Sequence, residues 1–524
     1  PFLERSDAMN RNPSLEHGAL YTDFYEFTMA QLYFDRGLHE KPARFEYFFR
    51  TYPHYGSHQA GYCITAGLEW FVDWLRNARF DDAVLEALRR QKSRGGGRLF
   101  SDAFLAWLSS RTPIEDITLD AVPEGRVVHP HEPVAVVEGP MAVAQIIETS
   151  LLNHLNFQTL IATRACRVKL AGEGRMMMEF GMRRAQGPAA HAGARAALIG
   201  GADFSSNTAL SCSLGVSPKG THAHSMVQAF LAMGKGERAA FKAYAESFPD
   251  NCLLLLDTVD TLGSGLPNAI AVFHELRAGG HEPMGVRLDS GDLAYLSVKV
   301  ARRLKDAGFP KAMIVLSNQL DEVVLGQILA QIREEAPREG LAPEEVIGRL
   351  AYGVGTRLIT SAGKGALDGV YKLTALKEDE RWKPVLKLSE SVEKIVTPGR
   401  KSLTRIYDNS GRTTADCLSL HHEDIEAGES LTLHHPYRES VSRKLPRSEI
   451  GEVEPLHEKI IDHGRVVAEF PGLEEVRKRR DRDLERLDPG VKRVINPHVY
   501  HVSLSPKLFE LKQHLIRATT FRDV

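Results

Sequence analysis

Several groups of residues in this 524-residue chain could bind or activate an anionic, hydroxyl-bearing substrate. They are Arg183 with Arg184; Ser205, Ser206 and Asn207; Thr221, His222 and His224; Asp257, Thr258 and Asp260; Arg287 with Asp289 and Asp292; Ser317 and Asn318; and Gly353, Gly355 and Thr356. Arginines and backbone N–H groups grip phosphates and carboxylates, while carboxylates take ribose hydroxyls or a divalent cation. His224, between Thr221 and a predicted helix, could act as nucleophile or as acid and base. Each of these groups lies at or after the end of a short run predicted as a strand, and that shared position carries more weight than any one residue. Taken singly, Ser, Asp, Asn and Thr are the usual helix caps, and Asp292 is read as one.

Known motifs narrow the chemistry. Gly353-Val354-Gly355-Thr356 would let a backbone approach a phosphate, but Leu358 stands where a dinucleotide fingerprint needs its third glycine. No Walker loop occurs in the chain. An EF-hand starting at Asp289 would need Glu at its twelfth position, which is Val300. His222-Ala223-His224 lacks a third zinc ligand and the His-Glu-x-x-His pattern, so His222 is read as structural. The Arg477-Lys478-Arg479-Arg480 run is interleaved with Glu474, Glu475, Asp481, Asp483 and Glu485 and reads as a solvated helix face.

The elements that must position these groups are the runs themselves. Strands are predicted at Met176–Phe180, Gly201–Phe204, Val216–Lys219, Leu253–Leu256, Met284–Leu288, Ala312–Leu316 and Leu350–Val354, the later ones spaced by about 30 residues, the size of a strand, a crossover helix and their loops. Leu293, Leu296, Val300 and Leu304 recur at helical spacing before Gly308. Seven such units predict an α/β fold with a parallel sheet closing into a complete or incomplete barrel, whose carboxyl ends carry the chemistry. Before it, AVPEGRVVHPHEPVAVVEG reads as short strands joined by turns, and Pro140 to Ala171 as a helix. After about residue 375 the chain reads as β-rich, then as the helical segment EEVRKRRDRDLERL and a short tail. Domain limits are set at 1–140, 141–375 and 376–524.

With 66 Lys and Arg against 68 Asp and Glu, the net charge of -2 offers no field for nucleic acid. The 43% hydrophobic and 26% charged fractions are those of an ordinary globular chain. Five scattered cysteines without a Cys-x-x-Cys pair fit a reducing, cytoplasmic setting. The longest apolar runs, such as Cys252 to Leu256, are far short of the roughly 20 residues that span a bilayer, and PFLERSDAMNRN has no apolar signal core. Neither a membrane nor nucleic acid is expected as a partner.

Beyond these local readings the chain resembles nicotinate phosphoribosyltransferases. The likeness runs through LYTDFYEFTMAQLYF (Leu20 to Phe34), ARFEYFFR (Ala43 to Arg50), RRAQGP, GTHAHS, GVRLDSGDL, SNQLDE, YGVGT and GVYKL to LDPGVKRVINPHVYHVSLSP (Leu487 to Pro506). It implies synthesis of nicotinate mononucleotide from nicotinate and phosphoribosyl pyrophosphate, in pyridine nucleotide salvage, with Mg²⁺ and with ATP hydrolysis coupled through a phosphohistidine. It also implies an α/β sandwich built from both chain ends beside an incomplete β/α barrel, in a homodimer with active sites at the subunit interface. By motif, His224 matches the phosphohistidine, and Tyr25 and Phe180 the stacking positions on either face of the pyridine, Tyr25 reaching in from the neighbouring subunit. Arg183, Thr221 and Arg287 match the groups for the nicotinate carboxylate and nearby phosphate, with Ser206 beside them. Asp257 and Asp289 match those for ribose hydroxyls or Mg²⁺, and Asn318, Gly353, Gly355 and Thr356 those for the ribose phosphate. The Ala189-Ala190-His191 stretch departs from the family, which commonly has an acidic residue and glycine there.

Two rivals share much of this pattern. A nicotinamide phosphoribosyltransferase would carry Asp where Ser205 and Ser206 stand, to accept from the amide; hydroxyls and arginine suit a carboxylate better. A catalytically silent nucleotide-binding homologue is disfavoured by His224, Arg287 and Asp289 occurring together. An aldolase-like barrel would need a Schiff-base lysine at a strand end, where only Lys219 is found.

Overall fold

The computed structural model describes residues 17–391 and 394–520. The amino-terminal stretch read as lacking a signal core lies outside them. The chain divides into one unit of residues 1–160 with 366–524 and a second of residues 161–365. The sequence reading put these limits at 140 and 375. Leu151 and Leu155, past the first of these limits, and Leu367 and Tyr371, short of the second, are buried in the core of the first unit, which places them there.

The second unit is built on six strands: β1 (Met177–Glu179), β2 (Phe204–Ser205), β3 (Leu253–Leu255), β4 (Gly285–Leu288), β5 (Met313–Ser317) and β6 (Leu350–Val354). They form one sheet in the order β2-β1-β6-β5-β4-β3, every pair parallel. Runs such as Leu253-Leu254-Leu255 and Ile314-Val315-Leu316 are apolar at successive positions because both faces of a parallel sheet are covered. On one face Met178, Leu253, Val315 and Ala351 pack together with Phe180 and Phe204 against them. Helices follow the strands; α1 (Leu293–Asp306) is capped by Asp292, which accepts from the Ala294 and Tyr295 N–H groups at 3.1 Å each, and the chain leaves it through Gly308 at φ 85°. Arg164 and Arg167 are fully buried and meet Glu322 at 3.0 and 3.2 Å.

Six strands stand where the sequence predicted seven. Val216–Lys219 is a partly exposed loop, touching the sheet through the Lys219 N–H, which donates to the Ser205 carbonyl at 3.0 Å. Pro218 removes a ladder donor, and a four-residue run with one apolar side chain has little to bury.

The first unit contains a seven-stranded antiparallel sheet drawn from both ends of the chain. Pro42–Phe49 lies between Ala135–Pro140 and Gly369–Glu378, and Thr118–Ala121 pairs with Glu458–Asp462. Inward-facing Phe45 stacks on Tyr371 with ring centres 4.8 Å apart. A second, six-stranded sheet includes Lys401–Asp408, Thr413–Leu420 and Val502–Leu504. Buried between elements of this unit, Arg405 holds Asp416 through two hydrogen bonds of 2.9 and 2.6 Å, and Arg126 holds Asp483 at 2.8 Å. Removing one member of such a pair would strand a charge without solvent. Helix Leu473–Arg486 forms as expected, but Arg480 is 7% exposed rather than solvated, because it faces inward beside Val476 and Asp483. The expected short tail is instead strand Val502–Leu504 and helix Pro506–Thr520. Among the described residues no helix is long and apolar enough to cross a membrane.

Candidate active site

Strand register assembles the site. In the parallel ladder Leu255 pairs with Arg287, Leu288 with Leu316, Ser317 with Gly353, and Glu179 with both Val354 and Ser205. All six carboxyl ends therefore finish on one rim, and the residues that follow them converge.

At its centre, Arg287 on β4 donates from Nη1 to Thr221 Oγ1 at 2.7 Å and lies 3.8 Å from Asp289 Oδ1. Its Nε is buried with no partner. Burial pulls this guanidinium below its usual range and Arg183 adds to that, while Asp289 and Asp257 oppose it. A cation so placed, with an unused donor, is poised for an anion. Asp257, after β3, accepts from the Asp289 N–H at 3.2 Å and from the Ser290 hydroxyl through Oδ2, leaving buried Oδ1 unpartnered. Ser317 at the end of β5 donates to Asp289 Oδ1. The two carboxylates are thus braced by hydroxyls and backbone, and Asp257 Oδ1 is left without a partner.

His224 opens helix α2 (His224–Ala232), which precedes β3 in the chain. Its Nδ1 is 3.1 Å from Thr258 Oγ1 and its Nε2 3.9 Å from Asp289 Oδ2. With Nδ1–H donating to Thr258, the Nε2 lone pair is free to attack an electrophile. Its side chain is 39% exposed, so a substrate can reach it. His222 has the structural role read for it. Its Nε2 accepts from the buried Leu255 N–H at 3.0 Å, and burial lowers its pKa to about 4, so it stays neutral.

Phe180, just past β1, lies over Gly353. A Cβ at Gly353 would come within 2.6 Å of the Phe180 ring, and one at Gly355 within 3.2 Å of the Phe180 carbonyl. The glycines of this turn therefore make room for the aromatic ring as well as leaving backbone open. The preceding residue, buried Glu179, accepts from Ser205 Oγ at 2.7 Å and from the Gly181 N–H. Burial raises the Glu179 pKa, partly offset by these donors. Ser206 donates its N–H to the Glu179 carbonyl at 2.9 Å. Asn318 carries φ 95° and is exposed at the end of β5; Thr356 is exposed at the first residue of the short helix Thr356–Ile359.

Thus the predicted residues Phe180, Arg183, Ser206, Thr221, His224, Asp257, Arg287, Asp289, Asn318, Gly353, Gly355 and Thr356 all belong to the loops and strand ends of this rim. Tyr25 belongs to the other unit, on helix Phe24–Asp35, where it is 46% exposed. Sequence reasoning missed Glu179, counted as strand interior, and gave no role to Thr258, Ser290 or Ser317. A hydroxyl directly after each aspartate was the available signal for Thr258 and Ser290.

Comparison with known proteins identifies the family. The chain matches the nicotinate phosphoribosyltransferase (NAPRTase) N-terminal domain over residues 20–156, the NAPRTase family over 176–411 and its C-terminal domain over 400–512. It is 37% identical over 506 residues to nicotinate phosphoribosyltransferase of Bacillus subtilis, covering 96% of each chain. To the Homo sapiens protein of the same name it is 32% identical over 548 residues, covering 95% of this chain and 96% of the relative. The crystal structure of human nicotinic acid phosphoribosyltransferase superposes with a TM-score of 0.76 at 30% identity, covering 94% of this chain and 99% of that one. A chain alike to these along nearly its whole length, with its charged and hydroxyl residues on one rim, is a member of the nicotinate phosphoribosyltransferase family.

Proposed function

We propose that this chain makes nicotinate mononucleotide from nicotinate and phosphoribosyl pyrophosphate and releases pyrophosphate. The observation that carries the reading is the juxtaposition of Arg287, Thr221, Asp257, Asp289 and His224 on one rim of a chain belonging to this family. The pyridine nitrogen bonds to the anomeric carbon as the bond from that carbon to pyrophosphate breaks. Arg287, with Arg183 and Thr221, takes the nicotinate carboxylate and nearby phosphate, with Ser206 alongside. Phe180 stacks on the ring and Tyr25 of a neighbouring subunit covers its other face, which suits a flat heteroaromatic. Asp257 and Asp289 hold ribose hydroxyls and stabilise positive charge at the anomeric carbon. Asn318, Gly353, Gly355 and Thr356 take the ribose phosphate.

The unpartnered Asp257 oxygen beside Asp289 fits Mg²⁺, which is commonly held by one or two carboxylates with the remaining positions on phosphates and water. When bound, Mg²⁺ would offset the charge of the pyrophosphate. ATP is the co-substrate: His224 Nε2 attacks its γ-phosphorus, the bond to the β-phosphate oxygen breaks, and ADP leaves a phosphohistidine. The six-stranded sheet is read as an incomplete β/α barrel and the other unit as an α/β sandwich, in a cytoplasmic homodimer whose subunits share the active site.

Nicotinate is preferred to nicotinamide because the Ser205 hydroxyl is committed to Glu179, and the buried Arg287 keeps an unused Nε donor that suits a carboxylate. Product analysis with each pyridine, phosphoribosyl pyrophosphate and Mg²⁺, with and without ATP, tests the reading. Nicotinate mononucleotide should dominate and ATP should raise its yield. Faster turnover of nicotinamide would reverse the substrate assignment, and no product from either would leave the silent homologue. Acid-labile label from γ-labelled ATP should appear on the protein and vanish in His224→Ala; label persisting in that variant rejects the phosphohistidine.

A further inference from the structure

The first unit holds a cavity of about 600 Å³ that none of the residues discussed above for catalysis lines. Arg50, Arg438 and Arg443 stand around it, no aspartate or glutamate lines it, and among the described residues none of the three guanidiniums has a carboxylate partner. Lys512 lies behind, its Nζ 4.9 Å from the centre of the Tyr437 ring, adding positive potential. An assembly of cations without counter-charge attracts a polyanion far more strongly than the near-neutral chain as a whole.

Apart from Ser442 and Ser503, the remaining walls are aromatic or apolar, and several of the rings are held in place. The Tyr52 hydroxyl meets His129 Nδ1 at 2.8 Å, and the His129 ring stacks on Tyr500 at 3.8 Å. Tyr437 stands edge-on to His131 with centres 4.9 Å apart. Burial, with Lys512 and Arg50 nearby, lowers the His131 pKa to about 4, so its ring is an uncharged stacking surface at neutral pH. At the rim Val499 is 74% and Val441 45% exposed, apolar surface that a ligand would cover. A rigid aromatic floor, exposed apolar edges and three free guanidiniums, in a volume typical of small-molecule sites, match a ligand with a flat ring at one end and phosphates at the other.

We propose that this cavity is a nucleotide site separate from the substrate rim, with the base against Tyr52, His131 and Tyr437 and the phosphates on Arg50, Arg438 and Arg443. Equilibrium binding of the non-hydrolysable ATP analogue AMP-PNP to the full chain tests it. One equivalent should bind about tenfold or more weakly in Arg438→Glu/Arg443→Glu and be retained in Arg287→Ala. Arg438→Lys/Arg443→Lys, which keeps the charge, should recover most of that loss. The double charge reversal should leave the rate of nicotinate mononucleotide formation without ATP unchanged. Inorganic tripolyphosphate should bind there clearly more weakly than AMP-PNP, since it lacks the base. The proposal is overturned if no AMP-PNP equivalent is sensitive to the double reversal, if the sensitive equivalent is also lost in Arg287→Ala, or if tripolyphosphate binds as tightly.

Discussion

Arg287 is the residue on which the proposed reaction rests most heavily, because it is largely buried, bonded to Thr221 and left with an unused Nε. Charge-assisted hydrogen bonds contribute about 1.5–3 kcal/mol, so Arg287→Ala should lower kcat/KM for nicotinate by roughly 10- to 100-fold. Steady-state kinetics check this, and a fall of under threefold would put the carboxylate elsewhere. The two histidines of the GTHAHS segment should separate cleanly. His222→Ala strands the buried Leu255 N–H and should lower the unfolding temperature, while labelling by γ-labelled ATP persists. Loss of label with an unchanged unfolding temperature would contradict the division of roles. Arg287 was legible in the sequence because it is a cation inside the apolar run Met284–Leu288, and His224 because it stands in the GTHAHS motif. Glu179 was not, since nothing local says that its carboxylate meets the Ser205 hydroxyl, 26 residues away.

At the scale of elements, the β6 turn and the β1 end form one device. Gly353→Ala would drive a Cβ to 2.6 Å from the Phe180 ring, which must move. Nicotinate KM should rise several-fold or more, whereas Gly365→Ala, with nothing within 4 Å, should leave it unchanged. Equal effects from the two substitutions would show that Phe180 does not set the ring's position. The rim also explains which strands could be read. Leu253–Leu255 and Met313–Ser317 are apolar runs buried on both faces, and they stand out. Phe204–Ser205 is only two residues long, and Val216–Lys219, with the same outward look in sequence, found no neighbour to pair with beyond one hydrogen bond.

For the whole molecule, buried titratable groups give a pH dependence with two opposed parts. His129 is fully buried and its pKa falls from 6.5 to about 3 through desolvation, so the stability it contributes is present above pH 6.5 and is lost as pH falls toward 3. Glu26, also fully buried, rises from 4.5 to about 7 through desolvation, so its contribution is present below pH 4.5 and is lost as pH rises through 7. Unfolding temperatures measured from pH 4 to 8 should therefore lose less on the acid side in His129→Phe than in the parent chain. In Glu26→Gln they should lose less between pH 4.5 and 7. Slopes identical to the parent in both variants would mean that these groups are solvated.

What the sequence determined by itself was local: which runs are strands, which residues follow them, that Asp292 caps a helix and Gly308 ends it. These depend on periodicity and backbone preference within about one element. Tertiary structure alone decided that β1 lies between β2 and β6, that Ser317 meets Gly353 across the ladder, and that strands from residues 42–49 and 369–378 share one sheet. Such pairings join residues tens to hundreds of positions apart. Their choice depends on which faces can be buried together against the cost of closing the intervening chain, and no short window of sequence carries that balance.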